Sequence, residues 1–103
     1  MTNVLNKIIE DKKDSLKSIK KTNSLDSIEN TIKSLNNFLN FKEVIAKNKR
    51  ASLITEIKKA SPSAGELVRD FNHLNIAKMY VDNGAACLSV LTEEKHFLGK
   101  LDY

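Results

Sequence analysis

The chain has no tryptophan, one cysteine, one proline and three glycines among its 103 residues, and aromatics make up only 6% of it. Each shortage excludes something. A single cysteine cannot close an internal disulfide, and the apolar run around Cys87 points to a buried, reduced thiol rather than a nucleophile. Three scattered glycines, Gly65, Gly84 and Gly99, cannot build a glycine-rich phosphate loop. Of 17 basic residues only Arg50 and Arg69 are arginine. Nucleic-acid surfaces favour arginine forks and aromatic platforms, so no nucleic-acid partner is expected. No stretch approaches the roughly 20 apolar residues of a membrane span. Residues 1–20 mix Lys and Asp with Ile and Leu where a signal peptide would be continuously apolar. No membrane association is expected, and a cytoplasmic location follows by exclusion.

What is present is ordinary for a soluble domain: 41% hydrophobic residues, 29% charged residues and a formal net charge of +4. The positive balance reads as a lysine-rich solvated surface. Val4, Leu5, Ile8, Ile9, Leu16 and Ile19 recur at helical spacing, with Thr2 or Asn3 as the cap, and Lys20–Asn23 ends that helix. Ser24 or Ser27 can cap a second helix carrying Ile28, Ile32, Leu35, Phe38 and Leu39, although Asn36, Asn37 and Asn40 weaken its end. A short helical piece over 41–47 and a polar hinge at 48–50 complete this half.

After residue 50 the period changes. Residues 51–57 read as a strand and 61–70 as a loop. Leu74, Ala77, Tyr80 and Val81 mark a helix stopped by Asn83-Gly84, and 85–91 is a second apolar strand. Strand, helix and strand make a βαβ unit, which predicts two parallel neighbours. In an extended strand Glu56 and Lys58 project to the same face. Pro62 then pushes Ser61 out of helical geometry. An acid, a cation and the hydroxyls of Ser61 and Ser63 thus cluster at one strand terminus. His73 and His96 have no third ligand at recognisable spacing, so no metal site is expected.

The octet Glu56-Ile57-Lys58-Lys59-Ala60-Ser61-Pro62-Ser63 resembles the first barrel strand and loop of indole-3-glycerol-phosphate synthases, enzymes of tryptophan biosynthesis. Residues 83–99, from Asn83-Gly84 through Leu91-Thr92-Glu93 to Phe97-Leu98-Gly99, are similar to that family's second strand and loop. Residues 4–13 resemble its N-terminal helix. The resemblance implies an α/β fold: a helical extension over 1–50, then the first two strands and first helix of a (β/α)8 TIM barrel over 51–103. A complete barrel needs about 250 residues, so the barrel is incomplete here. The implied reaction is ring closure of a carboxyphenylamino-deoxyribulose phosphate with decarboxylation and dehydration, using no cofactor. By the same resemblance Glu56 assists proton transfer, Lys58 pairs with an anionic group of the phosphorylated substrate, Ser61 contacts it, and Leu91 and Phe97 line its aromatic end. The third-strand lysine and the last phosphate-binding loops of the family have no counterpart in these residues. The chain is therefore expected to be an N-terminal fragment, inactive alone; a split enzyme completed by a second chain is a variant of that reading. The alternative is a small basic helical binding module with no activity, which would show basic residues clustered on one helix face.

Overall fold

A computed structural model describes residues 3–103. These cluster into a helical unit that ends at Leu39 and a second unit, Asn40–Tyr103. The first unit holds α1 (Val4–Thr22) and α2 (Leu25–Ser34). Asn3 caps α1 by accepting the Leu5 N–H, and Ser24 caps α2 by accepting the Ser27 N–H. Thr2, the other candidate for the first cap, lies outside the described residues.

Two expectations need correction in this unit. Helix α1 continues through Lys20, Lys21 and Thr22, because cations in a last turn favour the negative end of the helix dipole. Helix α2 stops at Ser34, and Leu35 is already extended at ψ 128°. Leu35, Phe38 and Leu39 therefore do not extend its apolar face. The asparagines that follow have poor helix propensity, and Leu35, Phe38 and Leu39 are exposed, Leu39 at 99%.

The second unit opens with α3 (Phe41–Ala46), capped by Asn40. Then follow β1 (Ile54–Ile57), β2 (Ala60–Ser61), β3 (Gly65–Glu66), α4 (His73–Asp82) and β4 (Cys87–Val90). Both long strands are shorter than expected, yet their pairing is the one the βαβ pattern predicts. β1 and β4 are parallel, in the register Ile54↔Cys87 through Ile57↔Val90. The expected loop over 61–70 contains a small antiparallel pair, Ala60↔Glu66 and Ser61↔Gly65. Ser at the first position and Pro at the second make Ser61-Pro62-Ser63-Ala64 a turn, and Gly65 follows at φ +68°.

Asn72 caps α4 by accepting the Asn75 N–H. Its C-terminus closes with Gly84 at φ +93°. The Ala85 N–H returns to the Tyr80 carbonyl and the Gly84 N–H to that of Val81, the doubled bond pattern that a left-handed glycine permits. The helix packs on β1 and α3 packs on β4. Only Ile57, 3% exposed, and Ala60, 2% exposed, form the buried apolar core among the described residues. Parallel strands are normally covered on both faces; here Leu53, Ile54, Leu88 and Val90 stay exposed. No helix among the described residues is long and apolar enough to cross a membrane.

Candidate functional site

Glu56 lies in β1 and Lys58 one residue past its end. The pleat puts both on one face, and Lys58 Nζ stands 2.9 Å from Glu56 Oε1. Glu56 is in register with Ser89. The Leu91 N–H donates to the Ile57 carbonyl at 3.0 Å, carrying the ladder past the ends of both strands. One further step of that register sets Lys58 beside Leu91, and paired residues share a face. Glu56, Lys58, Ser89 and Leu91 thus occupy one face at the C-terminal ends of two parallel strands, where both following loops leave.

The ion pair is open to water, with the Lys58 and Glu56 side chains 32% and 48% exposed. Pairs of this kind add little to stability. What the pair provides is placement, an acid and a cation one hydrogen bond apart at a strand end. The Tyr80 hydroxyl fixes the strand at that point by donating to the Glu56 carbonyl at 2.9 Å. Lys59 goes elsewhere, into a depression shared with Glu94, Leu98 and residues 99–102. None of the five expected site residues lines that depression.

The Ser61 hydroxyl accepts the Ala64 N–H at 3.2 Å and lies 3.4 Å from Ser63 Oγ. It serves the turn that a serine before proline starts, and a ligand would use its remaining hydrogen-bonding capacity. Phe97 is half-buried in the loop after β4. Glu93 organises that loop. One carboxylate oxygen accepts the Lys95 N–H at 3.1 Å; the other accepts those of His96 at 2.7 Å and Phe97 at 3.0 Å. The Glu93 carbonyl also accepts the Gly99 N–H at 2.8 Å. Burial raises the Glu93 pKa, but the three backbone N–H groups and the nearby His96 charge outweigh it and hold the carboxyl below its ordinary range.

Periodicity and motif spacing assign Glu93 no role. The available signal was an acid placed just before a run of loop N–H groups, and side-chain caps are usually the shorter Asp, Asn, Ser or Thr. His73 is the first residue of α4, and its ring stacks on Tyr103 at 4.5 Å. Among the described residues, no three His, Cys, Asp or Glu side chains group to hold a metal ion.

The sequence model of the family described as indole-3-glycerol phosphate synthase matches residues 5–103. Among curated proteins, an indole-3-glycerol phosphate synthase of Clostridium acetobutylicum is 46% identical over 101 residues, 97% of this chain and 38% of that protein. A synthase of the same name from Desulforamulus reducens is 42% identical over 100 residues, with the same two shares. One from Laribacter hongkongensis is 38% identical across all of this chain and 40% of its own length. The chain spans about two-fifths of the length of these relatives.

Proposed function

Because this chain belongs to the indole-3-glycerol phosphate synthase family, we propose that it forms the opening part of such a synthase, a carboxy-lyase of tryptophan biosynthesis. Residues 1–50 are the helical extension; 51–103 supply the first two strands and first helix of a (β/α)8 barrel. The substrate is a 1-(2-carboxyphenylamino)-1-deoxyribulose 5-phosphate, whose ring closure releases carbon dioxide and water. Its charge keeps it from crossing membranes unaided, and cytoplasmic residence belongs to the same reading.

The observation that carries the proposal is the Lys58–Glu56 pair, 2.9 Å apart at the C-terminal end of a strand with a parallel neighbour. In barrels of this type catalytic groups come from that end of the strands. Lys58 would neutralise an anionic group of the substrate, and Glu56 would assist proton transfer as the sugar-derived hydroxyls leave. Leu91, beside Lys58, and Phe97 would form the apolar wall for the aromatic ring, and Ser61 would contact the substrate from the turn. The exposed apolar residues on β1 and β4 support an arrangement in which more barrel covers them. A second chain as the source of that cover is not part of the proposal, since nothing found supports one.

The binding-module alternative fares worse on its own criterion. On α1 the arc holding Lys13, Lys17, Lys20 and Lys21 also carries Glu10 and Asp14, and Lys17 pairs with Asp14 at 3.0 Å. That is a mixed face rather than a basic one.

The test is to complete the barrel with the remainder of a family member and assay indole product. Lys58→Ala should lower the rate on the order of 10²-fold or more, since preorganised charge in a closed site is a large catalytic contribution. Lys59→Ala should leave it nearly unchanged. Equal losses at the two positions would refute the assignment. The 103 residues expressed alone should form no product above background.

A further inference from the structure

Phe97 is the one expected substrate contact carried by a long loop rather than by a strand end or a tight turn, and a loop side chain is only as well placed as its backbone. We propose that Glu93 is the positioning residue for Phe97, its carboxylate gathering the backbone N–H groups of residues 95–97 into a fixed turn that presents the ring at the end of β4. The proposal rests on the reading of Phe97 as a contact to the substrate's aromatic ring.

Three features of the loop carry it. Both carboxylate oxygens are used, at 3.1 Å to Lys95 and at 2.7 and 3.0 Å to His96 and Phe97. Bonds to an ionised acceptor are roughly twice as strong as neutral ones, and the depressed Glu93 pKa agrees with an anion held by donors. The residue after Phe97, Leu98, is left-handed at φ 53°. That conformation is unfavourable for a non-glycine residue and persists where surrounding structure imposes it. The loop is closed at its far end by Gly99, which is buried and bonded to the Glu93 carbonyl. A Cβ there would collide with the Leu91 carbonyl oxygen and sit 2.8 Å from the Thr92 carbonyl carbon. One glutamate thus fixes both the turn and its closure through separate groups, the carboxylate for residues 95–97 and the carbonyl for residue 99. Replacing the side chain alone leaves the second bond in place.

The discriminating experiment is a double-mutant cycle on kcat/KM in the completed synthase, with Glu93→Gln and Glu93→Ala each combined with Phe97→Ala. Glutamine keeps the size but offers one acceptor oxygen instead of two. Phe97→Ala should cost about 10-fold, expressed mainly in KM, as loss of a contact shared by ground and transition states. Glu93→Ala should cost about as much, and Glu93→Gln less. In the Phe97→Ala background the Glu93 variants should add almost nothing, because residues acting through one contact are not additive. Additive losses would overturn the proposal and leave Glu93 a general stabiliser. Glu93 variants at wild-type kcat/KM, with Phe97→Ala impaired, would overturn it while sparing the Phe97 assignment. A harmless Phe97→Ala would remove that assignment and this proposal with it.

Discussion

The two units of this chain reach order by different means. In the helical unit neither α1 nor α2 has a buried residue, and the elements are defined by bonds between near neighbours: Asn3 and Ser24 at the N-caps, the Lys17–Asp14 pair, and hydroxyls of Thr31 and Ser34 returned to carbonyls one turn back. In the unit from Asn40 onward the defining contacts join distant residues. The β1–β4 ladder and the Tyr80–Glu56 bond each bring together parts of the chain well separated in sequence. The lesson is that local capping specifies a helix without a core, whereas placing Glu56 and Lys58 beside Leu91 requires tertiary structure.

The largest expected effect breaks the second unit and spares the first. Gly99→Ala would push a methyl group into the backbone at Leu91 and Thr92, where a flexible side chain cannot yield. Forced shifts of this kind cost about 1–3 kcal/mol. Urea unfolding followed by amide NMR should show residues 54–57 and 87–97 destabilised, with α1 amides unmoved. Uniform change across both units would mean that they are coupled.

The converse change is somewhat smaller. Ser24→Ala removes the acceptor for the Ser27 N–H and should destabilise α2 by about 1 kcal/mol. Far-UV circular dichroism should report lost helix while the amide shifts of β1 and β4 stay put. Preserved helicity would show that the cap is not what starts α2.

The same contrast explains what could be read from sequence. Capping serines and asparagines and the apolar spacing of α1 and α4 are local; both helices cover that spacing, with α1 running three residues past Ile19. The parallel pairing of β1 with β4 was legible because the βαβ order leaves little alternative. The end of α2 was missed since Leu35, Phe38 and Leu39 keep helical spacing; the backbone nonetheless turns extended at Leu35, and all three side chains are exposed. The hairpin at Ala60–Glu66 was missed because each of its strands is two residues long, too short for any period to show. At the candidate site, the Glu56–Lys58 face was legible from period-two geometry. The work of Glu93 was not, because accepting three backbone N–H groups depends on a loop shape that the sequence does not spell out.

The smallest expected effect sharpens the comparison through pH. The Glu93 carboxyl is held below its ordinary value of 4.5 in the folded chain. On acidification the unfolded chain therefore binds this proton first. The stabilisation from Glu93 is complete above about pH 4.5, where both states are ionised, and it is lost as pH falls below 4.5 toward the folded value. The chain carries 13 acidic residues in all, so a bare acid unfolding curve would mix many titrations. Subtracting the curve of Glu93→Gln isolates this one. The wild type should be the more stable above pH 4.5, with the difference shrinking on acidification, and amides 95–97 should show it most clearly. Helix α1, held by bonds between its own near neighbours, serves as the internal reference. A difference that stays constant down through the acid range would mean that the carboxylate charge is not what holds the turn, and that Glu93 acts through its shape alone.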